Sequence, residues 1–427
     1  MGQNLNTTLK TLRFYLVYLL LAALTAPVIA QEYAPLPPRL DGSMMPIDFS
    51  TFTQPPYLPD SLRPVYSCYV ARHGARYLSG PQKLKPVVDA LQAARNAGTL
   101  SDEGDAFFTL IDHIREANNG NWGDLSPLGY KEERRLGERL FDILTPLGGN
   151  NPEVTAVSSY VPRCVMTMYL LTNSLLRCND RITVSTDEGR RFDRLLCCFS
   201  ADSAYADYRK NGNWKPVYER FVKNNVSPAP ARRLFTSTDL SEYELQVLTL
   251  DIYEVLKANR AADLTPPSTR WMSEQEYYNC WRASNLQHYL RNNITLLSDL
   301  AGRATLPLLD ELITKIDHAA DMDYPNPVLD TYFGHAETLL PLLSLMQLPG
   351  CYMLTDNFDT LEREWKIEEI TPLGGNLMIL LSRGPSGLTY VSLQLNGRDI
   401  RPIKGKPDIV AWSDLREFWL KCAESLR

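Results

Sequence analysis

Arg72, His73 and Arg76 fall within five positions, in the stretch Arg72-His73-Gly74-Ala75-Arg76. Two guanidinium groups beside an imidazole disfavour its protonated form. The arrangement is costly unless an anion is normally held there, and guanidinium groups bind phosphate oxygens through charge-assisted, often bidentate hydrogen bonds. A neutral imidazole nitrogen can attack phosphorus and form a covalent intermediate that water later hydrolyses. Gly74 reads as the residue that lets the backbone approach the anion closely.

Two more stretches carry matching chemistry: Ser158-Ser159-Tyr160-Val161-Pro162-Arg163 and Gly334-His335-Ala336-Glu337. Each of the three follows an apolar run that reads as a strand, and each opens a helix or turn. In open α/β sheets, sites form at the carboxyl ends of strands. Segments far apart in sequence are therefore expected to meet in one crevice. That would gather three arginines, two histidines and one carboxylate. Helix N-termini add backbone N–H donors, and the set suits stabilisation of charge on a transferring phosphoryl group. A leaving alkoxide also needs a proton, for which Glu337 is the candidate donor. Its place in the first turn of a helix favours the ionised form. A bound polyanion raises a carboxyl pKa, and the substrate is expected to win.

The elements that must position these groups are legible as patterns. Pro64 to Arg72 is a short β-rich run, followed by the helical "PQKLKPVVDALQAARNAG". Asp124 to Leu144 reads as a helix with Ser126 as N-cap and Pro127 at N1. Glu153 to Ser159 and "RITVST" read as strands around a helix from Val161 to Leu176. Helical segments rich in Tyr and Trp then dominate, until strand–turn–helix resumes after Asp330. "NLMILLSR" and "LTYVSLQLNGRDI" read as neighbouring strands. The expected fold class is α/β: a central mixed, mostly parallel sheet flanked by helices, with an inserted all-α domain. The expected boundaries are residues 31–191 and 317–427 for the core and 192–316 for the helical insertion.

"RHGAR", "SSYVPRCVMT" and "GHAETLLPLL" together resemble the histidine phosphatase superfamily, in its acid phosphatase and phytase branch. "LSPLGYKEERRLGERL" and "TPLGGNLMILL" match family segments in the same order, and the similarity runs from about Pro64 to the C-terminus. His335-Ala336-Glu337, where many members have His-Asp, looks like the multiple inositol-polyphosphate phosphatase clade. The resemblance implies that His73 is the nucleophile that becomes phosphohistidine. It implies that Arg72, Arg76, Arg163 and His335 bind the scissile phosphate and that Glu337 is the proton donor. It also implies that the helical insertion caps the site and adds substrate contacts. The substrate class implied is phytate and lower inositol polyphosphates. Alternatives are a broad-specificity acid or sugar-phosphate phosphatase and, in another class, a non-catalytic polyanion-binding protein. One departure is Tyr77-Leu78, where the family often has Pro two residues after the second Arg. Ala75 is small where relatives often carry something larger.

The rest of the sequence narrows the setting. Lys10 and Arg13 precede the apolar run Phe14 to Ala30, which ends in small residues. Residues 1–30 are expected to be a signal peptide cleaved near Ala30, giving a periplasmic or secreted protein with no membrane anchor. The net charge of −6 moves to −8 without that segment, which argues against a nucleic-acid partner. All eight cysteines lie in the mature part, and an even number in an exported chain predicts that some pair as disulfides. The five histidines show no metal-ligand spacing, so neither a metal nor another cofactor is expected. His113, His288 and His318 read as structural. Lys210, Lys215, Arg220, Lys223, Arg232, Arg233, Arg270 and Arg282 read mostly as a solvated face, with remote phosphate contacts as the alternative.

Overall fold

The computed structural model describes residues 33–53, 58–144, 152–322 and 328–427. The expected signal peptide, residues 1–30, lies outside them. No described helix is long and apolar enough to cross a membrane.

The strands are β1 (Arg63–Arg72), β2 (Glu153–Ser158), β3 (Thr183–Glu188), β4 (Val328–Gly334), β5 (Asn376–Arg383), β6 (Thr389–Leu395), β7 (Arg398–Ile400) and β8 (Ile409–Ala411). They form one sheet in the order β3-β2-β4-β1-β5-β6-β7, with β8 also pairing β6. The sheet is mixed as expected. Its parallel part is confined to β3, β2, β4 and β1, and the C-terminal strands pair antiparallel.

β1 is buried over its last eight positions, because helices cover both faces of the sheet. Tyr66, Cys68 and Val70 face one apolar cluster, and Tyr69 and Ala71 face another with Leu136, Leu140, Met168 and Leu171. That alternation is the period-two pattern of a strand between two layers. The second cluster is built by α3 (Pro127–Leu144) and α4 (Pro162–Cys178). α3 starts as the sequence predicts, with Gly129 N–H donating to Ser126 Oγ. α1 (Lys85–Ala97) and α2 (Asp102–Asn118) precede it, and Ser101 caps α2 by accepting from Gly104 N–H.

Between β3 and β4 every described element is helical: four short turns accompany α5 (Ser203–Asn211), α6 (Trp214–Asn225), α7 (Glu242–Leu256), α8 (Glu274–Asn292) and α9 (Leu300–Asp321). α7 and α8 each open with a reciprocal capping box, Ser241 with Glu244 and Ser273 with Glu276. α10 (Ala336–Leu345) follows β4, and α11 (Trp412–Glu424) closes the chain.

The expectation of disulfides is corrected: all eight cysteines are free thiols, and seven are buried. The seven buried ones pack as small hydrophobes, as a thiol readily does. Burial pushes the Cys164 thiol up to about 11 and that of Cys197 up to about 12.

Candidate active site

The register of the parallel strands sets the geometry. Arg72 at the end of β1 lies opposite Gly334 at the end of β4, and Ser158 of β2 lies opposite Phe333. The ladder continues past the strands, His73 N–H donating to Gly334 O and Ser159 N–H to Phe333 O. Three carboxyl ends therefore stop level, and the residues after them enter the same space.

His73 is 3% exposed, and its Nδ1 lies 3.0 Å from Gly74 O. A carbonyl only accepts, so Nδ1 carries the proton and Nε2 the lone pair. Burial first, then Arg163, Arg72, Arg76 and His335, hold its pKa well below the usual imidazole range. Arg72 Nη1 donates to Ser43 O at 2.6 Å and to Thr371 O at 2.7 Å, which fixes its fork. Arg76 Nη1 donates to Tyr77 O at 2.7 Å. Burial and mutual repulsion with Arg163 lower Arg76 to about 9, and burial lowers Arg72 to about 10, so both stay charged at neutral pH. The Nε atoms of Arg72, Arg76 and Arg163 are buried without a hydrogen-bond partner. Three crowded guanidinium groups with unused donors are what an anion would relieve.

His335 meets His73 edge-on, with ring centroids 5.7 Å apart. Arg163 Nη2 lies 3.3 Å from His335 Nδ1. A guanidinium only donates, so Nδ1 accepts and Nε2–H points to Ser159 Oγ, 3.4 Å away. Burial, then Arg163, lowers His335 to about 3. Glu337 opens α10, and its Oε1 accepts from Arg209 Nη2 at 2.9 Å.

The loop after β1 is held from below by α3. Glu132 Oε2 accepts Ala75 N–H at 3.1 Å, and Glu133 is fully packed beneath Gly74. A Cβ at residue 74 would sit 2.6 Å from Glu133 Oε1. Gly74 therefore makes room for Glu133; the expected role of admitting the anion is not what fills that space. Gly129 is needed more strictly, since a Cβ there would lie 2.0 Å from Ala75 O. Beyond Arg76 the chain is tied down despite the absence of Pro: Tyr77 N–H donates to Asp124 O, Leu78 N–H to Asn118 Oδ1, and Gly123 N–H to Leu78 O.

All six predicted site residues (Arg72, His73, Arg76, Arg163, His335 and Glu337) line one cavity of about 320 Å³. Lys83, Arg209, Lys257 and Arg291 add four cations to its wall, with His288 beside them, against two carboxylates, Glu254 and Glu337. A larger cavity of about 520 Å³ lies behind the segment 39–51. Its four cations face four acids (Asp48, Glu362, Glu368, Glu369), and it contains no histidine. Charge balance, rather than size, marks the smaller cavity as the candidate anion site. Among the described residues no group of three His, Cys, Asp or Glu side chains could hold a metal ion.

A model of the histidine phosphatase superfamily (branch 2) matches residues 68–396. The chain belongs to this superfamily. A comparison with curated proteins gives no match. Among solved structures, this histidine phosphatase is similar to the multiple inositol polyphosphate phosphatase of Bifidobacterium longum in complex with inositol hexasulfate. The TM-score is 0.74 at 16% identity, over 88% of this chain and 97% of that one. The same enzyme with phosphate gives 0.72, also at 16%, over 90% and 98%. The phytase from D. castellii gives 0.65 at 13%, over 90% and 85%. At these identities the likeness establishes a shared fold.

Sequence reasoning missed the second half of the cavity wall in this superfamily member. None of the eight cations from Lys210 to Arg282 proposed as remote contacts lines it. Arg232, Arg233 and Arg282 pair instead with Glu242, Glu276 and Glu362. His288, read as structural, does line the cavity. A signal existed for part of this: Gln287, His288 and Arg291 share one face of α8 at spacings of three and four.

Proposed function

We propose that this superfamily member is an exported phosphatase that removes phosphates from phytate and lower inositol polyphosphates through a phosphohistidine on His73. The observation that carries the reading is the cavity: seven cations against two carboxylates around a neutral, fixed imidazole. That excess suits a substrate bearing several phosphates better than a monoester. The solved relatives with inositol hexasulfate and phosphate bound support the same class of ligand.

In this mechanism the scissile phosphate takes up the unpartnered donors of Arg72, Arg76 and Arg163. His73 Nε2 attacks phosphorus as the P–O bond to the inositol breaks. Glu337 gives its proton to the leaving oxygen. Water then attacks phosphohistidine, passing a proton to the Glu337 carboxylate, and releases inorganic phosphate and the free imidazole. His335 is neutral above about pH 3 and supplies one N–H or lone pair rather than charge. The helical stretch 192–316 acts as the cap, since Arg209, Lys257, His288 and Arg291 come from it. Residues 1–30 act as the export signal; mass spectrometry of the mature N-terminus checks that point.

The functional test is phosphate release from phytate by the purified chain between about pH 4 and 8. Release that stops in His73→Ala supports the reading. Tight phytate binding with no release above that variant would point to a non-catalytic polyanion binder.

A further inference from the structure

Glu337 and Arg209 form an ion pair inside the cavity, Nη2 to Oε1 at 2.9 Å. Arg209 is held in place on three sides. Its Nε donates to Asn292 Oδ1 at 3.1 Å, and its guanidinium lies over the rings of Phe199 and Tyr205. Asn292 is itself buried and also accepts from Tyr205 OH at 3.2 Å. A carboxylate held this way has no proton to give. The free enzyme therefore stores its proton donor in the wrong protonation state.

We infer that Arg209 is a substrate-sensing positioning residue: a second phosphate, next to the scissile one, draws Arg209 off Glu337 and so allows Glu337 to take up the proton it must donate. This rests on the reading of Glu337 as donor. The two arginine sets lie on different elements. The scissile phosphate is met by Arg72, Arg76 and Arg163 from the strand ends, whereas Arg209 comes from α5. A monoester satisfies the first set and leaves Arg209 on Glu337. A vicinal polyphosphate occupies both. Discrimination then resides in turnover as well as in binding.

The electrostatics agree. Burial would raise the Glu337 carboxyl, yet Arg209 foremost, with His335, a backbone N–H and Arg72, holds it far below the carboxylate range. The other groups facing it are Tyr205 on α5, His288 and Arg291 on α8, Arg76 after β1, and Cys198, whose Sγ donates to Glu337 O. Burial lowers both His288 and His335 to about 3, so both are neutral near neutral pH, and Tyr205 is neutral there too. With Arg209 drawn to substrate, burial and the polyanion both act to raise Glu337. One proton enters from solvent on binding and passes to the leaving oxygen. Glu337 regains one from the attacking water and returns it to solvent when phosphate leaves and the ion pair re-forms.

Two measurements on the full chain test this. The first compares Arg209→Gln and Arg209→Lys on glycerol 2-phosphate, whose alkoxide needs a proton, and on p-nitrophenyl phosphate, whose leaving group does not. Arg209→Gln should raise the ratio of kcat values, glycerol 2-phosphate over p-nitrophenyl phosphate, at least about tenfold. Its alkaline pH limit on glycerol 2-phosphate should also move up, and Arg209→Lys should return the ratio toward wild type. A ratio in Arg209→Gln within about twofold of wild type would overturn the inference. The second measures proton uptake when inositol hexasulfate binds, by calorimetry in buffers of different ionisation enthalpy. The native chain should take up about one proton and Glu337→Gln none; equal uptake in both would overturn it. This second result decides the matter even if Arg209→Gln does not fold. Phytate turnover by wild type that persists while both tests fail would remove the role of Arg209 alone. Absence of phytate turnover would remove the functional reading beneath it.

Discussion

The two halves of the cavity wall are built by different means. One half hangs from the ends of β1, β2 and β4, where the backbone register fixes Arg72 level with Gly334 and Ser158 level with Phe333. Its side chains are further tied to main-chain carbonyls, as Arg72 is to Ser43 O and Thr371 O. The other half projects from helical faces, and its groups are held by other side chains: Arg209 by Glu337 and Asn292, and Lys257 by Glu254 and Ser284. Backbone ladders are rigid and position a reacting centre well. Side-chain pairs can be exchanged for a ligand's charges. On the proposed function, the strand ends would carry the chemistry and the helices the choice of substrate.

That division can be broken or sharpened by substitution. His73→Ala should remove at least about a thousandfold of kcat on phytate, since it deletes the imidazole proposed to attack phosphorus; single-turnover phosphate release checks it. Arg163→Ala should lower kcat by about a hundredfold or more while KM changes less, because it aids the charge that develops on phosphorus. Gly129→Ala should cost about 3 kcal/mol in denaturant unfolding, since its Cβ would lie 2.0 Å from Ala75 O and displace the loop that carries His73. On the helical side, Arg291→Gln should raise KM for phytate by about tenfold, with little effect on a monophosphate ester. An equal loss on both substrates would erase the distinction between the halves.

The smallest effect concerns the support under the loop. Burial pushes Glu132 up from 4.5 to about 8, and Glu133 beside it is also raised by burial and by Glu132. Raised carboxyl pKa values stabilise the fold fully below the unfolded value, and the contribution is lost as pH rises through the folded one. The melting temperature should therefore fall between about pH 4.5 and 8, and Glu132→Gln, which keeps an acceptor for Ala75 N–H, should flatten that slope. An unchanged slope would place the pH dependence elsewhere.

The strand-end half was legible because its residues cluster in sequence. Three short stretches after apolar runs carry all six of its groups, and topology alone brings them together. The helical half was illegible for a physical reason. A polar helix face turned toward an anion cavity has the same composition as one turned toward water. Lys210 and Arg209 differ by one position, about 100° around a helix, yet one is exposed and the other pairs with Glu337. The cysteines misled in a similar way. Their even number suggested pairing, whereas all eight are free thiols and seven of them are buried. Gly74 was rightly singled out, but the space it leaves belongs to Glu133, a contact between distant segments that spacing does not reveal.

The central claim is that phosphorus passes through the imidazole at the end of β1. Its most direct test is rapid quenching of labelled phytate turnover into base, followed by digestion and peptide mapping. The account predicts a base-stable, acid-labile phosphate on the peptide containing His73, absent from His73→Ala. Turnover of phytate with no such label, or with the label on another residue, would contradict it.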